Sequence, residues 1–311
     1  MNALTRRQFV AGTAGVALAQ QPSHPPGLLI ETHIHLFADD QARFPWHPNA
    51  VYKPSPLPIE KYLAFAKQAR LDHAVIVHPE PYQDDHRYLE YCFEREPSPG
   101  FFKGTCLFDP IAPDTPARME ALVKKHRDRI VALRVHETQD PKLPPTTTGA
   151  IRDRDMRSPA MLAAWRKAHS LGLAIQMHFI PYYAPQIFAL ASQLKEMPVV
   201  LDHMGRYGEG TPAEYEEVLK LAGLPRVYMK FSALNYSSKQ GYPYRDLQPL
   251  VERVFKAFGP DRIIWGGLGS DMGSFEKQVA VFAGMFAFTS ETNRAKLRGL
   301  NAARLYGFPL K

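Results

Sequence analysis

Residues 28–35 read Leu-Leu-Ile-Glu-Thr-His-Ile-His, a short apolar run that ends in a pair of histidines. Runs of this kind recur along the chain, and each is followed by a longer stretch with apolar residues at helical spacing. The runs predict strands at 28–34, 73–78, 101–107, 130–136, 173–178, 199–203, 227–232 and 262–265. The longer stretches predict helices at 59–70, 84–96, 116–127, 158–171, 185–195, 212–222, 246–258 and 275–288.

This alternation indicates the fold class. Eight strands that alternate with eight helices, without a linker between halves, predict a closed parallel barrel rather than an open sheet. We therefore expect a single α/β domain over residues 20–311, a (β/α)₈ or TIM barrel. The tail, residues 291–307, predicts two short helices that pack under or beside the barrel.

The first residues have the pattern of an export signal. Arg6 and Arg7 precede a stretch of small apolar residues, and Ala17-Leu18-Ala19 has the form of a cleavage site. This pattern predicts a twin-arginine signal peptide over residues 1–19 and a periplasmic protein. No apolar run has the roughly 20 residues that cross a bilayer, so we expect no membrane span.

The chain carries a formal net charge of +7, yet its basic residues alternate with acidic ones after the signal. A diffuse positive field attracts small anions and is not the footprint of a nucleic-acid-binding protein. Cys92 and Cys106 lie on a predicted helix and the following strand. The periplasm permits a disulfide, but we expect two buried thiols. No pattern bears on the oligomeric state.

Six of the twelve histidines lie at the ends of predicted strands. Because the carboxyl ends of barrel strands converge on one rim, we expect these side chains to share a site. Taken singly, His78 and His136 fit the pattern of hydrogen-bonded core residues as well as that of site residues. The spacing of His33 and His35 turns both imidazoles the same way, which suits binding of one metal ion. The others of the six are His178 and His203, and Asp202 is a candidate to orient a neighbouring group.

Other side chains extend this predicted site. Arg134 has the inward parity of His136 and is a candidate clamp for a substrate carboxylate, with a salt bridge as the alternative. Lys230 is a candidate to bind an anion or stabilise an oxyanion, because an unpaired lysine is unfavourable in a barrel interior. Tyr82 and Tyr182 follow the second and fifth strands and are candidates for the pocket lining, together with His78 and His136. Packing at the rim is the alternative for both tyrosines. The irregular segments 37–58 and 138–157 are expected to form walls or lids.

Several motifs resemble those of one known superfamily. Residues 30–37, Ile-Glu-Thr-His-Ile-His-Leu-Phe, resemble the opening D-T-H-x-H-x-F of the amidohydrolase superfamily. The resemblance is narrower to the branch of barrel hydrolases that includes sugar lactonases and pyrone-dicarboxylate lactonase. The segments similar to that branch are 43–46, 79–91, 199–203, 228–234 and 301–307.

The resemblance implies a metal-dependent hydrolase that opens a small anionic or hydroxylated lactone. It implies that His33, His35 and His178 hold one divalent ion, Zn²⁺, and that His203 steadies the bound water or the substrate carbonyl. Zinc favours imidazole ligands, and a bound zinc ion activates water at neutral pH. The alternatives are a non-oxidative decarboxylase of an aromatic or unsaturated acid, and a barrel that binds a ligand without turning it over.

The chain departs from the family at the eighth strand. The family sequence W-G-S-D supplies a general base, whereas this chain reads Trp-Gly-Gly-Leu at 265–268. Asp271 follows three positions later in a Gly-rich loop, and we hypothesise that it returns to the site as the catalytic base. If it does not, the metal site is weaker or absent. The fourth strand also lacks the lysine that bridges two metals in the family, so we expect one ion.

Overall fold

The computed structural model describes residues 24–144 and 155–310. The predicted signal peptide and residues 145–154 of the predicted wall lie outside the described residues. The strands form one eight-stranded parallel sheet in the order β1 to β8, as the (β/α)₈ prediction requires. They are β1 (Ile30–Ile34), β2 (His73–Ile76), β3 (Phe102–Leu107), β4 (Ile130–Glu137), β5 (Ala174–Phe179), β6 (Val199–Leu201), β7 (Val227–Phe231) and β8 (Ile263–Trp265).

A helix follows each strand, and all eight predicted helices are confirmed. They are α1 (Ile59–Gln68), α2 (Arg87–Glu94), α3 (Thr115–Lys125), α4 (Pro159–Ser170), α5 (Ala184–Gln193), α6 (Pro212–Lys220), α7 (Gln248–Phe258) and α8 (Met272–Met285). The tail forms the two short helices predicted for it, α9 (Glu291–Ala295) and α10 (Asn301–Tyr306), and a π-helical turn, Lys296–Leu300, joins them directly.

The lower half of the barrel is filled with apolar side chains. Small and branched residues from the strands meet the end of the tail, which closes the barrel beneath the sheet. The members of this lower plug are Leu28, Ile30, Val75, Ala132, Ala174, Val200, Ile264, Ala302, Ala303, Tyr306 and Phe308. Because the plug takes up the amino ends of the strands, the open end is the carboxyl end, where the histidines lie.

The junction between β1 and β8 is held by side chains. The Thr32 hydroxyl donates to the Trp265 carbonyl over 2.7 Å. The buried Glu31 carboxylate accepts the backbone N–H groups of Gly267 and Leu268 over 2.7 and 2.5 Å. It also accepts the N–H of His33 over 2.6 Å, so one carboxylate holds both the β8 loop and the first site histidine. Burial raises the pKa of Glu31, and the three N–H groups act in the opposite direction.

Gly266 allows the β8 loop to approach β1 this closely. A Cβ atom at this position would lie 2.5 Å from the Thr32 hydroxyl oxygen and 3.0 Å from the backbone nitrogen of His33. These distances are too short for any side chain, because the contact on the His33 side is backbone and cannot rotate away. Glycine is therefore required here by space.

The cysteines and the absence of a membrane span were also predicted from the sequence. Cys92 and Cys106 are buried free thiols, as expected. Within residues 24–144 and 155–310, no helix has both the length and the apolar character needed to cross a bilayer.

Removing the Glu31 carboxylate should loosen the junction between β1 and β8. Glu31→Ala leaves three buried N–H groups without their acceptor, and we expect the free energy of unfolding to fall by at least about 2 kcal/mol. Urea unfolding measures the change. Glu60→Ala, on the exposed side of α1, is the control and should change it by less than about 0.5 kcal/mol. Equal effects of the two substitutions would show that the carboxylate does not hold the junction.

Candidate active site

Five imidazoles form a continuous row at the carboxyl end of the barrel. The ring centroids are 5.0 Å apart for His35 and His33, 4.5 Å for His33 and His203, 5.2 Å for His203 and His178, and 5.0 Å for His178 and His136. His33 lies on β1 and His35 directly after it, His136 and His178 lie on β4 and β5, and His203 follows β6. Five of the six strand-end histidines therefore meet around one small volume, as expected for a barrel, and His78 does not join them.

Hydrogen bonds fix the orientation of three of these rings. His35 Nδ1 lies 2.7 Å from the Val77 carbonyl and donates to it. His203 Nδ1 lies 2.9 Å from the Ser232 hydroxyl. His178 Nε2 lies 2.5 Å from a terminal guanidinium nitrogen of Arg206. A guanidinium has no lone pair to offer, so His178 Nε2 is the acceptor and the neutral ring carries its proton on Nδ1.

The row consists of neutral imidazoles. Burial lowers the pKa of His35 and of His203 to about 3. Burial also takes the pKa values of His33, His136 and His178 well below the usual range, and the nearby cation Arg134 adds to the shift for the latter two. At neutral pH each ring keeps one lone pair and one N–H, which suits metal binding and proton transfer.

A buried ion-pair cluster lies directly beneath the row, centred on Asp202. Its Oδ1 is 3.1 Å from the Lys230 ammonium, and its Oδ2 is 3.4 Å from Arg134 and 3.0 Å from the Gln176 amide nitrogen. His33 Nδ1 also lies 3.5 Å from Oδ1. Burial alone would raise the pKa of Asp202, but Lys230 and His33 hold it well below its usual value. Asp202 is thus a carboxylate at all ordinary pH values.

The contacts in this cluster differ from those predicted for Lys230 and Arg134. Lys230 is fully buried, and its ammonium donates to the Thr32 carbonyl over 3.0 Å as well as facing Asp202. It is committed to the barrel interior rather than to a substrate anion. Arg134 forms the predicted alternative, a salt bridge, but in the barrel centre rather than at the rim. Its Nε is buried without a partner among the residues that the structure describes.

The residues present fit a divalent metal ion. Ligand atoms of His33, Asp202 and His203 all lie within 4.8 Å of one another. His33 Nε2 is buried and has no hydrogen-bond partner in the described part of the chain. Two imidazole nitrogens and a carboxylate oxygen form a donor set that zinc accepts. The set differs from the one implied by resemblance at two positions. His178, whose Nε2 is bound to Arg206, and His35 lie outside the group, and His203 and Asp202 take their places.

Asp271 does not return to the site, contrary to the hypothesis that it is the catalytic base. It is the exposed N-cap of α8, where its carboxylate accepts the Ser274 N–H and hydroxyl, each over 2.9 Å. These bonds, with a smaller contribution from Lys61 on α1, lower the pKa of Asp271. Its side chain is therefore committed to the helix layer outside the barrel. Leu268, at the family's Asp position, is fully buried in the core.

The predicted pocket-lining residues divide into three cases. His136 belongs to the row. His78 is a core residue instead, since its Nε2 lies 2.9 Å from the Gln83 carbonyl and its ring lies 4.4 Å from that of His86. Tyr82 is also buried, and its hydroxyl accepts the Ala38 N–H over 2.8 Å, which fixes the loop after β1. Tyr182 is an exposed residue of the rim, which is its predicted alternative.

Two further residues lie at the row and were missed by sequence reasoning. Arg206 bonds His178, pairs with Glu209 over 2.5 Å, and lies 4.2 Å from the Tyr236 ring centroid. The Tyr236 ring lies 5.4 Å from that of His203. Arg206 follows the quoted motif by three residues, and only the left-handed backbone at 203–206 turns it back over His178. No sequence pattern signalled this turn.

The ion pair of Asp202 and Lys230 should show energetic coupling. Asp202→Asn leaves buried cations uncompensated, and we expect the free energy of unfolding to fall by about 3–5 kcal/mol. Adding Lys230→Met should restore part of that loss, with a coupling of roughly 1–3 kcal/mol in urea unfolding. Effects that add within about 0.5 kcal/mol would contradict the pairing.

Two curated relatives match most of the chain. A 4-sulfomuconolactone hydrolase from Hydrogenophaga intermedia is 26% identical over 296 residues, covering 91% of this chain and 89% of the relative. An L-fucono-1,5-lactonase from Burkholderia ambifaria is 26% identical over 247 residues, covering 76% and 78%. Both names describe action on a lactone.

Solved structures share the barrel. A proposed 2-pyrone-4,6-dicarboxylic acid hydrolase from Pseudomonas putida superposes with a TM-score of 0.71 at 22% identity, covering 91% of this chain and 99% of that one. An amidohydrolase from Burkholderia multivorans, with bound zinc, has a TM-score of 0.68 at 18% identity, covering 91% and 100%. At these identities the likeness establishes the fold.

The family follows from a match over nearly the whole described barrel. Residues 30–308 match the model of the amidohydrolase family. This range starts at β1, which carries the paired histidines, and ends after α10. The chain therefore belongs to the amidohydrolase family of hydrolases, and its relatives place it in the branch that contains lactone hydrolases.

Proposed function

We propose that this amidohydrolase hydrolyses a small lactone that carries a negative charge. The observation that carries the proposal is the row of neutral imidazoles with buried, unpartnered ring nitrogens. In the described residues these atoms are His33 Nε2, His136 Nδ1 and His178 Nδ1. Hydrolysis of a lactone needs a group that polarises the carbonyl, a group that takes a proton from water and a group that protonates the leaving oxygen. The names of the two curated relatives support the substrate class.

His178 is suited to donate a hydrogen bond. Arg206 holds its Nε2 as an acceptor, so the proton lies on Nδ1, which has no partner among the described residues. A neutral N–H in this position can bond the lactone carbonyl and stabilise the oxyanion that forms there. Burial, with Arg134 and Arg206 adding to it, lowers the pKa of His178 and keeps the ring neutral before the reaction.

His33 is suited to present a lone pair. Asp202 Oδ1 and the Lys230 ammonium each lie 3.5 Å from Nδ1, and we propose the tautomer in which the carboxylate accepts the Nδ1 proton. In that tautomer Nε2 is a free acceptor for a metal ion or for a water proton, and a ring that has taken the water proton can pass it to the leaving oxygen. The Glu31 bond to the His33 backbone N–H fixes the residue from the other side.

We infer that the ion, when present, is zinc held by His33, His203 and Asp202. Zinc so bound would polarise the substrate carbonyl or lower the pKa of a coordinated water. The donor set of two imidazoles and a carboxylate supports this choice over magnesium or calcium, which prefer oxygen ligands throughout.

We infer an anionic substrate from the guanidinium groups at the row. Three cations lie there, Arg134, Lys230 and Arg206, and their ion-pair partners are Asp202 and Glu209. In a low-dielectric site a guanidinium attracts a carboxylate or sulfonate more strongly than in water. Arg134 Nε and Arg206 Nε are buried donors without a partner in the described residues.

The two alternatives have less support. Decarboxylation of an aromatic or unsaturated acid would use the same carboxylate-binding charges, but both curated relatives are named for lactones. A binding barrel without turnover was suggested by the loss of the β8 aspartate, and the row of neutral histidines offers other proton carriers. We also propose export by the twin-arginine route, which rests on Arg6, Arg7 and the Ala17-Leu18-Ala19 sequence.

Activity on a lactone panel tests the proposal. We expect acid release, followed by pH-stat, from a carboxylated lactone and more slowly from neutral ones. His178→Gln should lower kcat by about 100-fold or more, because the Nδ1–H group that faces the developing oxyanion is lost. His169→Gln, on the exposed end of α4, should retain full activity. Release of CO₂ without lactone opening would establish the decarboxylase instead, and tight binding without any product would establish the binding barrel.

The Asp271→Asn variant tests whether Asp271 is a catalytic base or only a helix cap. Asparagine caps a helix as well as aspartate does, so the fold should be preserved. We expect lactone hydrolysis by this variant to equal that of the parent chain. A loss of kcat as large as that of His178→Gln would return Asp271 to the catalytic site.

Metal content tests the ligand set. We expect one equivalent of zinc per chain by elemental analysis, and a loss of about 10- to 100-fold in zinc affinity for His203→Ala. His35→Ala should retain more zinc than His203→Ala, since His35 lies outside the three-residue group. Greater loss for His35→Ala than for His203→Ala would favour the set implied by resemblance.

A further inference from the structure

Exposed apolar and aromatic side chains are concentrated around the mouth of the barrel. Large exposed residues lie in the loops after β1, β4, β5 and β7, which all open at the same end as the histidines. They are Val51, Tyr52, Leu143, Tyr182, Tyr236 and Tyr242. Apolar groups that stay exposed beside a polar site mark a surface that contacts something else, either a ligand or a partner.

Tyr236 is the aromatic residue closest to the histidine row. Its ring lies 5.4 Å from that of His203 and 6.4 Å from that of His178, yet 39% of its surface is exposed. The Arg206 guanidinium lies 4.2 Å from the ring centroid. Tyr236 is therefore a ring fixed by a cation, next to the reacting groups and still open to an incoming molecule.

Tyr52 approaches the same place from the loop after β1. The N–H of Val51 donates to the Glu80 carboxylate over 3.2 Å, which anchors the loop at this point. The Tyr52 residue is 44% exposed. Burial nevertheless raises the pKa of Tyr52 to about 12, with Arg134 opposing and Glu80 and Tyr236 adding to the rise. Tyr52 is thus a partly exposed residue of the anchored loop, and its hydroxyl interacts electrostatically with Arg134 and Tyr236.

We propose that Tyr52 and Tyr236 are specificity-determining residues that select substrates with a planar, unsaturated or aromatic ring beside the reacting carbonyl. The inference rests on the proposed lactone hydrolysis and names the substrate class for it. Flat rings stack on a tyrosine face, whereas a puckered saturated ring presents axial hydrogens and makes fewer close contacts. The Arg206 cation beside Tyr236 places an anionic substituent of such a ring next to a positive charge.

Binding of two matched anions tests the selection without requiring turnover. Benzoate and cyclohexanecarboxylate have the same carbon skeleton and charge, and differ in the planarity of the ring. We expect the full chain to bind benzoate more tightly in titration calorimetry. Tyr236→Leu and Tyr52→Leu should each weaken benzoate binding by about two- to tenfold and leave cyclohexanecarboxylate nearly unchanged.

Phe188→Leu is the matched control. Phe188 is also an aromatic residue with 39% of its surface exposed, but it lies on α5 in the outer helix layer. The control should bind both anions as the parent does, and thermal unfolding should show that all three variants are folded. Equal affinity of the parent for the two anions, or equal weakening of both anions by Tyr236→Leu, would overturn the inference.

A kinetic comparison separates this inference from the proposed function. The substrates are phthalide, whose aromatic ring is bonded to the lactone carbonyl, and its saturated counterpart hexahydrophthalide, with the change in KM on substitution as the readout. We expect Tyr236→Leu to raise KM for the aromatic lactone alone and to change kcat little. Turnover with no such difference overturns the planar selection and keeps the lactonase. Selective benzoate binding without turnover of any lactone keeps the planar selection and overturns the lactonase.

Discussion

The ion pair of Asp202 with Lys230 and Arg134 is the interaction on which the site depends. Two cations and a carboxylate are buried where a barrel of this class ordinarily carries branched apolar residues. Buried charges persist only when they are paired, so these side chains hold each other in place and have little freedom to move. The cluster forms a rigid polar floor, and the apolar lower plug beneath it isolates that floor from water on the opposite face.

The electrostatics of the row follow from burial and from the cations of this floor. Burial lowers the pKa values of all five histidines, and Arg134 or Lys230 lowers each of them further. Neutral rings can bind metal, accept a proton and donate a hydrogen bond, whereas imidazolium rings can only donate. The proposed anionic substrate would meet the guanidinium groups of the same site.

The loop after β8 stabilises the barrel in this chain, whereas in the family it supplies a catalytic residue. Glu31 binds the N–H groups of Gly267 and Leu268, Gly266 lies against His33, and Leu268 fills the core. With the loop fixed in this way, a base from β8 is absent from the described site. In the proposed reaction proton transfer is carried out by the histidines, with Arg206 and Asp202 determining which nitrogen of His178 and His33 is free.

The sequence by itself determined the barrel, the eight strands and helices, and the meeting of the strand-end histidines. Periodicity and strand order are local or topological properties, and parallel strands necessarily deliver their last residues to one rim. The tertiary structure alone decided which nitrogens face the site, that Asp202 rather than Asp271 is the site carboxylate, and that Arg206 and Tyr236 join it. These outcomes depend on the left-handed turn at 203–206, on the helix cap that engages Asp271, and on contacts across the barrel such as Asp202 with Lys230. Sequence spacing carries no information on such contacts, because each is set by packing between residues far apart in the chain.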